Sequence, residues 1–85
     1  MRTEAIVEVA RNKGTAKASG GAWHALLRGD GAVTVRHYAT DMIEIFPNGD
    51  VIPLSRGWGS VSDKQGINKI LRYERAGVVY SDIFG

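Results

Sequence analysis

Apolar and polar residues alternate through the middle of the chain, which is the period of a β-strand with one buried face. Turn-forming residues interrupt the alternation at Asp30-Gly31, which can supply the positive φ angles of a tight hairpin, and at residues 47–50, Pro-Asn-Gly-Asp. The pattern therefore predicts an antiparallel meander of about four strands, at Trp23–Leu27 and residues 32–38, 40–46 and 51–54.

Strict alternation also assigns a sheet face to each position. It places Val33 and Val35 on one face, and Thr34, Arg36 and Tyr38 on the other. In the following strand it separates Ile43 and Ile45 from Met42, Glu44 and Phe46. Pro53 has no amide hydrogen to donate, so the last strand is expected at a sheet edge or interrupted.

A helical period replaces the strand period after residue 60. Ile67, Ile70 and Leu71 recur at i, i+3 and i+4, which gives a helix one apolar side. Ser62 and Gln65 fit the S-x-x-Q capping box, so the helix is expected to begin there. Its expected end is near residues 76–77, where the second residue, glycine, can take the left-handed C′ conformation.

Two residues near the start of this helix bear on its packing. Trp58 lies between two glycines and is the large aromatic on which the apolar side is expected to pack, a core role that we favour over recognition. Gly66 lies within the first turns and costs about 1 kcal/mol relative to alanine. The helix therefore depends on docking to the sheet.

The two ends of the chain are less clearly patterned. Residues 4–10 favour a strand, although Glu4 and Glu8 at i and i+4 leave a helix open. Residues 12–22 are small or turn-forming and predict a loop. Residues 78–84 predict a last strand or a tail, apolar enough to pair with a second copy in a homodimer. The predicted fold is α+β: a single domain, residues 1–85, with the meander covered by one C-terminal helix.

Composition narrows the functional classes. The chain of 85 residues contains no cysteine, which excludes disulfides, a thiol nucleophile and thiolate metal ligands. Its apolar runs are shorter than the roughly 18 to 20 residues that span a bilayer, and acidic residues in the first ten argue against a signal peptide. We therefore expect a cytoplasmic protein without a membrane partner.

Candidate catalytic chemistry is sparse. His24 and His37 fall on neighbouring predicted strands, and Asp41 and Glu44 fall on the next. Their spacing matches no recognised metal-ligand pattern, and alternation distributes them over both sheet faces, so surface polar residues are the better interpretation. We expect no enzyme, and no catalytic residue, metal site or cofactor.

Basic residues form the other candidate site. The net charge is only +2, but residues 9–40 carry five bases against the single acid Asp30. On the predicted helix, basic or amide side chains recur at i, i+4, i+8 and i+11, as one stripe. A solvated surface and a partner or nucleic-acid contact both remain open. The candidate binding residues are Arg11, Lys13, Lys17, Arg36, Tyr38, Lys64, Asn68, Arg72 and Arg75.

One succession of motifs lies within residues 32–71: Thr40-Asp41-Met42-Ile43, Pro47-Asn48-Gly49-Asp50-Val51, and Gly57-Trp58 through Ile67-Asn68. In the order and spacing of these motifs the chain resembles a group of small, largely uncharacterised proteins of tailed bacteriophages. This chain departs from the group at Ser62-Asp63, where a threonine pair is usual, at Arg56, where a second glycine is common, and at Gly66, where a basic residue is common. The resemblance implies a phage or prophage gene.

Small phage-borne domains often act by occupying a host protein's surface, including components of host defence. Together with the sparse catalytic chemistry, the resemblance favours a non-enzymatic binding module acting by protein–protein contact on a host protein in the bacterial cytoplasm. Its sharpest form is an inhibitor of host defence, anti-CRISPR-like. The alternative hypothesis is a small nucleic-acid-binding protein that uses the basic helix stripe and the basic loop.

Overall fold

The computed structural model describes residues 1–55 and 59–85. Over these residues five strands form one antiparallel sheet in sequence order: β1 (Thr15–Ala18), β2 (Trp23–Leu27), β3 (Val33–His37), β4 (Thr40–Ile45) and β5 (Val51–Pro53). The helices are α1 (Ile6–Lys13), α2 (Val61–Tyr73) and α3 (Tyr80–Phe84). The architecture is α+β, and the predicted meander is confirmed with a further strand at its start.

The N-terminal segment is helical, so the favoured strand was wrong. A 3₁₀ turn (Thr3–Ala5) leads into α1, whose Ile6, Val7 and Ala10 are fully buried while Glu8 is exposed. These buried residues have the spacing of one side of a helix, and that side of α1 packs on β1 and β2. Gly14 ends the helix with φ +90°, and its amide donates to the Ala10 carbonyl at 2.7 Å.

The predicted loop at residues 12–22 contains the edge strand β1, so that prediction was wrong. β1 pairs antiparallel with β2. Its two alanines, Ala16 and Ala18, are buried beneath α1, while Thr15 and Lys17 point outward. Alanine has low strand propensity, so this segment resembles a loop in sequence. Here the small side chains allow α1 to approach the sheet closely.

A β-bulge changes the expected faces of β4. The register pairs Val35 with Ile43 but Arg36 with Asp41, which leaves Met42 as an extra residue. Both Met42 and Ile43 are fully buried. The expectation that Met42 faces away from the isoleucines was therefore wrong, because alternation fails at a bulge.

Both predicted turns are present, and each contains a glycine with positive φ. In the first turn Gly31 has φ +89°, and the Asp30 carboxylate accepts the Ala32 amide at 3.0 Å. In the second turn Gly49 has φ +93°, and the Phe46 amide donates to the Asp50 carbonyl at 2.8 Å. The strand after it, β5, is an edge strand that ends at its proline, as predicted.

The start of α2 lies earlier than the predicted capping box. Ser60 is the N-cap: its Oγ accepts the Asp63 amide at 3.1 Å, and Asp63 Oδ2 accepts the Ser60 amide at 3.2 Å. The box at Ser62 and Gln65 was therefore wrong, because the buried carboxylate of Asp63 reaches the backbone while Gln65 is exposed. The predicted apolar side is confirmed: Ile67, Ile70 and Leu71 are buried.

Trp23 packs directly beneath α2. It is 4 % exposed, and a Cβ atom built on Gly66 would lie 2.0 Å from its Cζ2 atom. Glycine at position 66 is thus a packing requirement, because any side chain there would overlap the indole. Trp58 lies outside the described residues, and its packing role stays a prediction.

The C-terminal end of α2 uses an arginine in place of the predicted glycine. Arg75 takes the left-handed C′ position with φ +55°, and the amide of Ala76 donates to the Leu71 carbonyl at 3.0 Å, as in a Schellman motif. The helix therefore ends before Gly77. No helix in the described part of the chain has the length and apolar character needed to cross a bilayer.

The terminal segment folds back as α3 rather than forming a strand. The Asn68 side chain on α2 accepts the Tyr80 amide at 2.7 Å, and this bond holds the start of α3. Tyr80 is buried and its ring lies 4.5 Å from that of Phe84. Asn68, expected in the outward stripe, is therefore a half-buried contact between helices.

Candidate functional site

The outer face of the sheet is the broadest polar surface built by the strands, and we call it the open face. Its side chains alternate with the buried ones, since the residues pointing to α1 and α2 form the core. Leu26, on β2, is 48 % exposed. The open face consists of Thr15, Lys17, His24, Leu26, Thr34, Arg36, Asp41, Glu44 and Ile52.

Basic side chains from three neighbouring strands form a row across the open face. Lys17 pairs in register with His24, and His24 pairs with Arg36, so three neighbouring strands contribute to one row. Arg36 Nε donates to Asp41 Oδ1 at 2.8 Å, whereas no ion pair within the described chain engages Lys17 or Arg28. A cavity of about 140 Å³ lies beside this row, lined in part by Leu26 and Arg28.

The candidate binding residues are distributed over several separate surfaces. Lys17 and Arg36 lie on the open face. Tyr38, 70 % exposed, stands at the tip of the β3–β4 hairpin with φ +54°. Lys64 and Arg72 are exposed on the outer side of α2, and Lys13 is exposed at the end of α1. The residues therefore do not form the single surface that a continuous stripe would give.

The remaining arginines of the set lie near acidic residues. Arg11 forms an ion pair with Glu74, whose side chain is only 8 % exposed. Arg75 lies in the same surface hollow, which Asp50 also lines. Because acids and bases are mixed here, this region is not a cationic contact surface.

Sequence reasoning missed Lys69 on α2. It is exposed on α2 and lies three positions before Arg72. A search for bases at i and i+3 as well as i and i+4 would have included it. The outer side of α2 thus carries three cations, and the one acid within the helix, Asp63, is buried.

His24 and His37 lie on opposite faces of the sheet. His24 is exposed on the open face, and His37 is 6 % exposed on the inner face. The interpretation of His37 as a surface residue was therefore wrong. Its parity with Val33 and Val35 is the signal that places it inward.

His37 forms a buried hydrogen-bonded pair with Asp63. His37 Nδ1 contacts Asp63 Oδ1, and the indole of Trp23 stacks on the imidazole with 4.0 Å between ring centroids. Burial acts to raise the pKa of Asp63, but hydrogen bonds from His37 and Ser60 outweigh it, so this pKa lies below its ordinary value. Asp63 is thus an ionised carboxylate that joins the sheet to the start of α2.

Two tyrosines have raised pKa values for local reasons. A hydrogen bond from its hydroxyl to the Glu8 carboxylate raises the pKa of Tyr73, and burial raises the pKa of Tyr80. Both groups stay protonated at neutral pH. They contribute structure, since Tyr73 connects α2 to α1 and Tyr80 anchors α3.

Comparison of the chain with protein-family models, curated proteins and solved structures finds no match. Function must therefore be inferred from the surfaces themselves.

Proposed function

We propose that this chain is a non-enzymatic binding module that acts by protein–protein contact, with the open face as its contact surface. The observation that carries the proposal is the composition of that face. Leu26 is exposed on β2 between Thr15 and Thr34, and Lys17, Arg28 and Arg36 lie around it. An exposed apolar residue among polar and arginine side chains is a usual feature of protein interfaces.

Asp41 and Glu44 lie on the β4 part of this face, whereas the β1 and β2 part carries Lys17 and Arg28 and favours acidic groups on a partner. Lys17 and Arg28 have no anionic partner within the described residues, and the guanidinium of Arg36 is half exposed beside Asp41. Acidic groups on a partner would steer its approach and fix its register on the strands. The hydrogen-bonded sheet holds the row in place, so little conformational freedom is lost on binding.

The resemblance to tailed-bacteriophage proteins supports a host protein as that partner. The sharpest form of the proposal is inhibition of a host defence system, anti-CRISPR-like, by occupation of an acidic surface on one of its proteins in the bacterial cytoplasm. In this form the chain needs no cofactor and no chemistry of its own.

Phage plating on bacteria with an active CRISPR defence tests the proposal. We expect expression of the wild-type chain to raise plaque numbers, and Leu26→Asp to abolish that rise because it places a carboxylate among the cations of the face. Gln65→Asp, which adds a carboxylate at an exposed position of α2, is the matched control and should leave the rise unchanged. An unchanged plaque number with the wild type, or full activity of Leu26→Asp, would refute the proposal.

A second candidate function, nucleic-acid binding, is favoured by one observation. The outer side of α2 carries Lys64, Lys69 and Arg72 without an exposed acid on the helix. Cations of this kind can bind the phosphates of a nucleic acid, and the affinity of such binding falls steeply as the salt concentration rises. Titration of the chain with single- and double-stranded oligonucleotides at two salt concentrations tests this. Binding that falls with salt and is lost in Lys69→Glu supports it, and absence of binding at low salt rejects it.

A further inference from the structure

A second cavity lies between the β3–β4 hairpin and the start of α2. Its volume is about 190 Å³, and it is enclosed by side chains from both elements. Met42 contributes a buried thioether, and the other groups are an imidazole, a carboxylate and hydroxyls. The residues that matter are His37, Tyr38, Thr40, Met42, Ser62 and Asp63.

One nitrogen of His37 is available to this cavity. Asp63 is ionised and can only accept, so the Nδ1–H of His37 donates to it. Hydrogen bonds within the described chain engage Nδ1 alone, and no buried side-chain nitrogen or oxygen there lacks a partner. Nε2 is therefore accessible, and in the neutral imidazole it is a hydrogen-bond acceptor.

The imidazole is fixed in orientation before any ligand arrives. Trp23 stacks on it at an interplanar angle of 10°, and the Tyr38 ring lies 4.6 Å from it. Asp63, which holds Nδ1, is itself held by the Ser60 amide at the helix cap. A polar group supported in this way binds without having to be ordered first.

The cavity adjoins the open face at the hairpin tip. Arg36 points to the open face, and Tyr38, two residues later, lines the cavity. A protein lying on the open face would reach the cavity across this tip. This argument rests on the proposed function, since it assigns the cavity to the same contact.

We propose that the cavity receives a tyrosine side chain of the protein bound on the open face, with its hydroxyl on Nε2 of His37. A phenol matches the lining: its ring packs against the exposed Tyr38 side chain, and its hydroxyl donates to the neutral imidazole or accepts from the protonated one. Tyrosine also combines apolar area with a polar tip, which makes it a frequent interface anchor.

Titration with 4-methylphenol, followed by the NMR signals of the His37 ring, tests the cavity without any partner protein. We expect saturable shifts with 4-methylphenol and weaker binding of toluene, which lacks the hydroxyl. Ser62→Phe should abolish the shifts, because Ser62 is exposed at the edge of the cavity and the larger ring fills it. Gln65→Phe, exposed on the same helix but away from the cavity, is the control and should retain them.

The inference is overturned if 4-methylphenol produces no saturable shift, if toluene binds equally well, or if Ser62→Phe leaves the shifts unchanged. The outcome is separable from that of the phage assay. Phenol binding without any rise in plaque number would refute the proposed function, whereas Leu26-dependent plaque formation without phenol binding would refute only the tyrosine pocket.

Discussion

Arg36 and His37 are neighbours on β3 whose side chains point to opposite faces of the sheet. Arg36 pairs with Asp41 on the open face, and His37 pairs with Asp63 on the inner face. The side chains of Arg36 and Asp41 are 51 % and 45 % exposed, whereas those of His37 and Asp63 are 6 % and 3 % exposed. Water screens the first pair, so it contributes little to stability. The second pair has no such screening, and removing Asp63 leaves buried His37 without the carboxylate to which it is hydrogen-bonded. The solvent exposure of each pair, rather than the residue types in it, determines how much the pair contributes to the free energy of unfolding.

The two pairs also differ in what they connect. Arg36 and Asp41 face each other across adjacent strands that the sheet already joins. His37 and Asp63 join β3 to α2, and Asp63 simultaneously closes the capping box at Ser60. The buried pair therefore supports a long-range contact and a helix start together, and this comparison can be tested by mutation.

The largest effect is expected for Asp63→Ala. It removes the partner of buried His37 and one half of the capping box, so the free energy of unfolding should fall by about 3 to 5 kcal/mol. Urea denaturation followed by circular dichroism measures the loss. Gln65→Ala, on the exposed side of the same helix, serves as control, and equal stabilities of the two variants would contradict a structural role for the pair.

The same pair should give the wild type a distinct acid response. Because the folded pKa of Asp63 is below the ordinary value of 3.8, its carboxylate stabilises the fold above that value. This contribution is lost as the pH falls through the lowered folded pKa. Unfolding measured from neutral pH to about pH 3 should show a shallower decline in Asp63→Ala than in the wild type. Parallel curves would assign the acid response to other groups.

A smaller change in the free energy of unfolding is expected for Gly66→Ala, and its sign distinguishes helix propensity from packing. Helix propensity alone predicts stabilisation by about 1 kcal/mol. However, the added methyl group would overlap the Trp23 indole, so we expect a net loss of about 1 to 3 kcal/mol. Thermal unfolding distinguishes the two, since a raised melting temperature would show that Trp23 moves aside at no cost.

The smallest effect is expected on the open face. Arg36→Ala should change the free energy of unfolding by less than about 1 kcal/mol, because both members of its ion pair are half exposed. The same urea series provides the measurement. A loss as large as that of Asp63→Ala would mean that exposure does not separate the two pairs, and the comparison between the faces would fail.

The candidate sites were predictable only in part. Alternation alone placed Arg36 opposite Val33 and Val35, and the structure has it on the open face. His37 was predicted to lie at the surface because it is polar, although its alternate spacing with Val33 and Val35 places it on the buried face. Asp63 was missed as its partner because 26 positions separate the two residues, and no local pattern relates a strand residue to a helix cap so distant in the chain.

The sequence alone determined those turns and helices that depend on residues close together in the chain. The turns at Gly31 and Gly49 require positive φ, and the isoleucine spacing of α2 requires a buried side, so the sequence alone predicted the meander and the helix that covers it. Tertiary packing decided which serine caps α2, which tryptophan lies beneath Gly66, and that Asn68 holds α3. Each of these depends on a partner distant in sequence, and only the closed fold brings the two together.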